Sequence, residues 1–167
     1  CLSSGYHRQP ELGAQALRAG WFHSGDLGYV AAGQLYVTGR QKELIIVGGV
    51  NIYPQDLEAI ANGVPGVHPG RTVAFGVFDE EAGTETVVLV CELDATGAGE
   101  PLAIEREVRR RIAQRTEVSA TDVRLVDHRW LIKTSSGKIA RAANREKYLR
   151  EFRQDRVGSR PPPDPDR

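Results

Sequence analysis

Apolar residues recur along this 167-residue chain in two different periods, and the change between them predicts strands and helices. Residues 27–30 and 34–38 alternate apolar and polar side chains around an Ala-Ala-Gly turn, which predicts a β-hairpin. Residues 72–78 and 85–93 are β-branched and apolar, with an acidic, glycine-containing turn between them. The apolar run at residues 87–91 is too continuous for a half-exposed strand, so we predict a central strand that is covered on both faces.

Other segments show helical spacing. A helix is predicted to begin near Pro54, because proline at the first helical position lacks only a donor that would be unpaired anyway. Residues 102–117 and 141–152 each gather their apolar side chains on one side, which predicts two amphipathic helices. A short helix at residues 10–17 and a short strand at residues 123–126 complete the pattern.

These elements predict an α+β fold, with a small mixed β-sheet flanked by helices and preceded by a β-hairpin. Residues 44–47 form a short apolar run that stops at Gly48 and Gly49, where we predict a loop with unusual backbone dihedrals. Residues 153–167 are rich in proline and charge, which predicts a disordered tail.

The composition argues against several classes of binding partner. Basic and acidic residues number 22 each, which argues against a whole-surface field for nucleic acid or a membrane. No signal peptide is recognised, and no apolar stretch reaches the ~18 residues that would span a bilayer. Cys1 and Cys91 suggest neither a disulfide framework nor a metal site, and the four histidines make no ligand set, so we expect no metal site and a cytoplasmic protein.

The strongest candidate for chemistry is the run Trp-Leu-Ile-Lys-Thr-Ser-Ser-Gly-Lys-Ile at residues 130–139. Small hydroxyl residues and Gly137 let the backbone approach a ligand closely. Lys138 supplies a compact charge with three donors, which suits a carboxylate or phosphate oxygen. Taken alone, the Ser-Gly-Lys sequence fits an exposed turn equally well.

Two upstream stretches favour a functional role for the Lys138 loop over a simple exposed turn. Residues 21–28 read Trp-Phe-His-Ser-Gly-Asp-Leu-Gly, and residues 39–58 run from Gly-Arg-Gln-Lys-Glu to Asn-Ile-Tyr-Pro-Gln-Asp-Leu-Glu. With the Lys138 loop, in this order, they resemble the C-terminal portion of the adenylate-forming superfamily, which comprises acyl-CoA synthetases, nonribosomal adenylation domains and luciferases. The resemblance covers residues 5–150, and residues 51–58 and 70–75 are most similar to the fatty acyl-AMP ligases.

The resemblance implies three segments. Residues 1–39 would be a remnant of a large N-terminal domain with its hairpin, residues 40–152 a mobile C-terminal domain, and residues 153–167 a disordered proline-rich tail. The superfamily's phosphate-binding loop belongs to the large domain, so we expect no complete ATP or acyl pocket in this chain. The chain has no methionine and opens on Cys1, and we therefore expect an inactive fragment of a longer protein.

The resemblance also implies roles for single residues. Asp26 would hold the ribose of ATP, and Arg40 would contact the ribose or the α-phosphate, for which a planar guanidinium is well suited. Lys138 would be the catalytic residue, because an ammonium stabilises the negative charge that collects around the α-phosphate and the attacking oxygen. Ile132 stands where the family usually has proline, so the loop loses a fixed φ.

Two further matches concern motion and the acceptor thiol. Lys42 falls at the family's hinge, whose backbone dihedrals change when the small domain rotates between two catalytic poses, although its side chain resembles an ordinary surface lysine. Glu43 replaces the aspartate that usually follows the hinge. Gly48, Gly49 and Val50 match the loop that lines the thiol's approach, although glycines there could equally be simple turn formers.

The function implied is that of an ATP-dependent acyl-activating ligase. Such an enzyme converts a carboxylate and ATP, with Mg²⁺, into acyl-AMP and pyrophosphate, and then passes the acyl group to carrier-protein phosphopantetheine or coenzyme A. The implied partners are the missing N-terminal domain and an acyl carrier protein or coenzyme A. An amino-acid adenylation domain or an acyl-CoA ligase stays open, because specificity resides in the absent part. A non-catalytic adenylation-like module that binds a partner protein is also open, although the joint presence of Asp26, Arg40 and Lys138 weighs against it.

Overall fold

Residues 5–94 and 99–152 are described by a computed structural model. Within it the chain forms two units, one ending at Leu44 and the other beginning at Ile45. The tail predicted for residues 153–167 lies outside the described residues, as does Cys1.

The first unit consists of one short helix and two antiparallel strand pairs. The bounds are α1 (Pro10–Ala16), β1 (Leu17–Arg18), β2 (Trp21–Phe22), β3 (Asp26–Ala31) and β4 (Gln34–Arg40). The strand pairs are β1 with β2 and β3 with β4. The β3–β4 pair is the predicted hairpin, while β1 and β2 were not predicted, because strands of two residues are too short to show a period.

An irregularity in the hairpin sets the pairing at its open end. The register of β3 against β4 shifts between Leu27 and Gly28, as it does at a β-bulge. A Cβ at Gly28 would lie only 2.5 Å from the carbonyl oxygen of Tyr36, so no larger residue fits there without a shift of the backbone. Beyond the irregularity, Asp26 becomes the cross-strand partner of Arg40.

The second unit contains the elements β5 (Ile45–Val47), β6 (Val50–Ile52), α2 (Pro54–Asn62), β7 (Val67–Asp79), β8 (Thr84–Leu93), α3 (Pro101–Arg115), β9 (Ala120–Val126) and α4 (Arg141–Phe152). It is built on a three-stranded sheet in the order β7-β8-β9. Strand β7 runs antiparallel to β8 and β9 runs parallel to it, so the predicted mixed sheet is confirmed. A parallel pair requires a crossover, which α3 supplies.

Strand β8 is central and covered on both faces, as predicted. Leu89 and Cys91 point into one apolar cluster, together with the buried faces of α2 and α3. Val88 and Val90 point into a second cluster that includes Tyr148 of α4. Successive side chains of a strand point to opposite faces, so a continuous apolar run fills both clusters.

The helices therefore form a layer on each side of the sheet. The layer made by α2 and α3 buries Leu57, Ile104, Val108 and Ile112, and the α4 layer also packs against Leu131 and Ile139. Because Leu131 and Ile139 flank the Lys138 loop, that loop begins and ends on the α4 side of the sheet.

The structure confirms the predicted loop with unusual backbone dihedrals at Gly48 and Gly49, and it places Val50 in the strand that follows. Val50 is the first residue of strand β6 and pairs with Val47, so the loop is a tight hairpin turn of two glycines. Their φ angles are +57° and +84°, which suits the turn that joins twisted antiparallel strands in two residues. A three-residue strand beside a glycine pair carries too little pattern to be recognised in the sequence.

Burial of Cys91 leads to a prediction about its reactivity. The side chain is fully buried, and desolvation raises the pKa of its thiol from 9.0 to about 12. Since the thiolate is the reactive species, a Cys1→Ser variant should leave Ellman's reagent almost without a target at pH 8 and show one thiol after denaturation. Rapid labelling of the folded variant would contradict the buried position of Cys91.

Candidate functional site

Asp26 and Arg40 form an ion pair at the open end of the β3–β4 hairpin. The Nε of Arg40 donates to Oδ1 of Asp26 at 3.0 Å, and the backbone N–H of Asp26 donates to Oγ of Ser24 at 3.1 Å. The Arg40 side chain is 65% exposed and that of Asp26 is 35% exposed. The pair therefore presents a carboxylate and a guanidinium side by side, and such a pair can bind hydroxyl groups and an oxyanion.

The hairpin continues into a short 3₁₀ turn that contains Lys42. The N–H of Gln41 donates to the carbonyl oxygen of Gly25 at 2.9 Å, one residue beyond the last pair of the β3–β4 ladder. The 3₁₀ turn spans Gln41–Glu43, and the Lys42 side chain is exposed. Lys42 thus lies two residues before the last residue of the first unit.

Side chains of β8 hold the two-glycine turn in the second unit. The N–H of Gly48 donates to Oγ1 of Thr84 at 2.8 Å, and the same hydroxyl donates to the carbonyl oxygen of Ile46 at 3.1 Å. The N–H of Ile46 donates to Oε2 of Glu85 at 2.7 Å. A Cβ on Gly48 or Gly49 would meet no atom within 4 Å, so their positive φ angles account for both glycines.

The Lys138 loop is an ordered hairpin, and residues 130–140 are called the lysine hairpin below. Lys133 and Ile139 form an antiparallel bridge across it. The N–H of Thr134 donates to the carbonyl oxygen of Lys138 at 2.8 Å, and the N–H of Gly137 donates to that of Thr134 at 2.9 Å. Gly137 has a φ of +83°, which glycine adopts without strain, so the chain reverses at this residue.

The tip of the lysine hairpin presents the Lys138 side chain to solvent. The hydroxyl of Thr134 accepts the N–H of Lys138 at 3.2 Å and lies 2.9 Å from Oγ of Ser136. The Lys138 side chain is exposed. Its ammonium pairs with no group in the described ranges 5–94 and 99–152, so it is free to bind an anion.

Two buried side chains hold the base of the lysine hairpin. The N–H of Leu131 donates to Oε1 of Glu92 at 2.8 Å, and the N–H of Ile132 donates to Oδ1 of Asn144 at 2.8 Å. Glu92 and Asn144 are both fully buried. Our sequence analysis missed both, although each leaves a signal: Glu92 is a charge within the central strand, and Asn144 lies one helical turn before Tyr148.

The buried charge of Glu92 faces a cation. Its Oε2 lies 3.4 Å from Nη1 of Arg71 and 3.8 Å from Nδ1 of His128. A carboxylate buried in a protein is tolerated when an opposite charge and a hydrogen bond compensate it, and here Arg71 and the Leu131 N–H do so.

Helix α4, which carries Asn144, is itself fixed to strand β7. The Nε of Arg141 donates to the carbonyl oxygen of Ala74 at 2.9 Å, and its Nη2 donates to Oε1 of Glu58 at 2.7 Å. That same oxygen accepts the N–H of Ala74 at 2.9 Å. One turn further, Nε of Arg145 donates to the carbonyl oxygen of Gly76 at 2.9 Å. The lysine hairpin is therefore braced by a helix that is anchored to the sheet.

The structure brings some of the predicted site residues together. Asp26 and Arg40 are paired in the first unit, whereas Lys138, Gly48 and Gly49 belong to the second. Within residues 5–94 and 99–152, no three His, Cys, Asp or Glu side chains are close enough to hold a metal ion. No helix in those ranges is long and apolar enough to cross a membrane.

Comparisons with known proteins place the chain in a family. No family model matches it. It is 34% identical over 163 residues to a 4-hydroxyphenylalkanoate adenylyltransferase of Mycobacterium tuberculosis, with 87% of the chain and 26% of that protein covered. It is 34% identical over 165 residues to a long-chain-fatty-acid–AMP ligase of Mycobacterium marinum, with 88% of the chain and 27% of that protein covered.

Solved structures agree with these relatives. The chain matches the structure of the McyG A-PCP protein complexed with phenylalanyl-adenylate, with a TM-score of 0.80 and 29% identity over 92% of this chain and 28% of that one. The chain spans about a quarter of the length of the curated relatives it matches. It belongs to the adenylate-forming superfamily and corresponds to the C-terminal domain of its members.

Proposed function

We propose that this chain is the C-terminal portion of an ATP-dependent acyl-activating ligase. In the first half-reaction, a carboxylate oxygen attacks the α-phosphorus of ATP, the bond to the β-phosphate breaks, and pyrophosphate leaves. In the second, the sulfur of a phosphopantetheine or coenzyme A thiol attacks the acyl carbon and AMP leaves. The similarity to long-chain-fatty-acid–AMP ligases favours a fatty acid as the substrate of the first step.

The observation that carries this proposal is the geometry of the lysine hairpin. Lys138 stands at the tip of an ordered turn whose base is held by Glu92 and Asn144, and its ammonium is exposed. Adenylate formation concentrates negative charge on the α-phosphate and the attacking oxygen, and a pre-positioned cation stabilises that charge. A charge on a braced support costs little reorganisation when the reaction occurs, which a lysine on a loose loop would not offer.

The ion pair of the first unit suits the sugar and phosphate of the nucleotide. In the proposed enzyme, Asp26 accepts hydrogen bonds from the vicinal hydroxyls of the ribose, and Arg40 binds an oxygen of the ribose or the α-phosphate. Their contact of 3.0 Å fixes both groups at one end of the hairpin. Mg²⁺ would accompany the nucleotide and is assigned no ligand in this chain.

The remaining predicted site residues are proposed to act when the enzyme passes from adenylate formation to acyl transfer. Lys42 is proposed as the hinge, because it lies in a single turn of 3₁₀ helix two residues before the end of the first unit. Gly48, Gly49 and Val50 are proposed to line the path of the thiol. The bonds from Thr84 and Glu85 hold this turn in a fixed place, which suits a surface that must meet another domain.

Two rival functions predict different substrates or none. An amino-acid adenylation domain is favoured by the match to the McyG protein, whose structure contains phenylalanyl-adenylate. A non-catalytic module that binds a partner protein would have no use for an exposed Lys138. The acyl specificity would be set by the large N-terminal domain, so substrate profiling must use the complete ligase, meaning this chain joined to that domain.

Carboxylate-dependent exchange of pyrophosphate into ATP tests the proposal. We expect the complete ligase to catalyse this exchange with long-chain fatty acids, and this chain alone to catalyse none, because it would lack the rest of the nucleotide site. Amino acids supplied in the same assay are the control for the rival adenylation domain. A complete protein that exchanges no pyrophosphate with any carboxylate would favour the partner-binding module.

A further inference from the structure

One backbone donor in the first arm of the lysine hairpin has a single partner. The N–H of Ile132 donates to Oδ1 of Asn144 at 2.8 Å, and Asn144 is completely buried in α4. The sequence resemblance implies a proline at the position of Ile132, and proline carries no backbone N–H and fixes its own φ. Isoleucine introduces a donor that must be satisfied, and Asn144 supplies the acceptor.

The other end of the Asn144 amide joins the two arms of the lysine hairpin. Its Nδ2 donates to the carbonyl oxygens of Ile132 and Ala140, each at 2.9 Å. One oxygen facing an N–H and one NH₂ facing two carbonyls fix the orientation of the amide. A buried amide whose groups are all paired holds its surroundings in a single arrangement.

Loss of the Asn144 side-chain amide would leave only one of its three backbone partners without a hydrogen bond. The carbonyl oxygen of Ile132 also accepts the N–H of Ala140 at 3.0 Å, and that of Ala140 also accepts the backbone N–H of Asn144 at 3.0 Å. Both carbonyls would therefore keep a donor. The N–H of Ile132 has no second acceptor within the part of the chain that the structure describes, so it alone would be orphaned.

We propose that Asn144 is a positioning residue for Lys138, because its buried amide bonds to both arms of the lysine hairpin. Asn144 lies beneath the lysine hairpin, ties its two arms together and so sets the direction in which the tip presents Lys138. This inference rests on the proposed function, in which Lys138 acts during adenylate formation. It treats Ile132 and Asn144 as a coupled pair: a residue with a backbone N–H at position 132 needs the side-chain acceptor at position 144.

Amide hydrogen exchange of this chain tests the structural half of the proposal without any assay of function. Asn144→Leu should accelerate exchange of the Ile132 amide roughly tenfold or more, because its acceptor is lost. The Leu131 amide should change little, since Glu92 still accepts it. Ala142→Leu, which introduces the same leucine at an exposed position of the same helix, is the control. Equal acceleration at Leu131 and Ile132 would mean general loosening and would overturn the proposal.

Kinetics of the complete ligase test the catalytic half. Asn144→Leu should lower kcat for adenylate formation about tenfold while leaving KM for ATP and the transfer of a supplied acyl-adenylate unchanged. Adding Ile132→Pro to that variant removes the orphaned donor and should restore most of the lost rate. The same proline in the wild-type protein should lower the rate, because it leaves Oδ1 of Asn144 without a donor.

The proposal is decided by whether Ile132→Pro raises or lowers the rate of adenylate formation in each background. Contacting residues are expected to show non-additive effects, and a proline that helps in one background and harms in the other is an extreme case. If the two substitutions simply add, the proposed coupling is wrong. If Lys138→Ala leaves adenylate formation intact, the proposed function fails, while the exchange result at Ile132 still reports on the brace itself.

Discussion

Replacing Lys138 with alanine in the complete ligase should nearly abolish formation of the acyl-adenylate and leave its transfer to the thiol nearly intact. Removal of one pre-positioned donor to a developing charge typically costs ~10²–10³ in rate, and we expect a loss of at least that order here. The transfer step should be spared if, as proposed, the C-terminal domain rotates and presents the lysine hairpin to the active site in only one of its two poses. Pyrophosphate exchange and thioester formation from supplied acyl-adenylate measure the two steps separately.

Lys133 offers a matched control for this experiment. It lies in the opposite arm of the lysine hairpin, carries the same charge, and has an exposed side chain. Lys133→Ala should therefore alter adenylate formation little. Equal losses in both half-reactions for Lys138→Ala, or equal losses for the two lysines, would count against the assignment of Lys138.

Replacing Lys42 with proline should impair acyl transfer more than adenylate formation. Proline fixes φ near −65°, and a hinge residue must change its dihedrals between the two poses. We expect thioester formation to fall roughly tenfold or more, which corresponds to about 1.4 kcal/mol in the barrier. Rapid-quench measurement of thioester formation from acyl-adenylate gives the rate.

Lys42→Ala distinguishes the backbone from the side chain. Alanine keeps the dihedral freedom and removes only an exposed ammonium, so it should have a mild effect on both steps. A loss as severe as that caused by proline would show that the ammonium itself is required, and Lys42 would then not be a simple hinge.

The architecture of the second unit, apart from the three-residue strand β6, could be predicted because its longer elements each carry their own period. The run at residues 87–91 indicated a strand that is buried on both faces, and β8 is central in the sheet. Helix α4 occupies the predicted range, because its apolar positions repeat over three turns. Strand β9 begins at Ala120, three residues before the predicted start, since its first residues include Thr121 and Asp122 and show no apolar run.

The bracing of the site could not be predicted in the same way. Lys138 was found from a local motif, but Glu92 reaches the lysine hairpin from β8, 39 residues earlier in the chain, and Asn144 reaches it from helix α4, which follows the hairpin. Such contacts depend on the register of the sheet and on the rotation of a helix about its axis, and neither is encoded in a local pattern. The substitution of isoleucine for proline at residue 132 looked like a loss of order, whereas the buried amide of Asn144 compensates for it.

The arginines that anchor α4 have a second consequence, which concerns association between molecules. Strand β7 lies at the edge of its sheet, where free backbone groups would invite a strand from another chain to pair. Arg141 and Arg145 occupy the carbonyl oxygens of Ala74 and Gly76, and Glu58 occupies the N–H of Ala74. An incoming strand would have to displace charged, hydrogen-bonded side chains along this stretch, so the contacts that anchor α4 also protect this edge of the sheet from edge-to-edge aggregation.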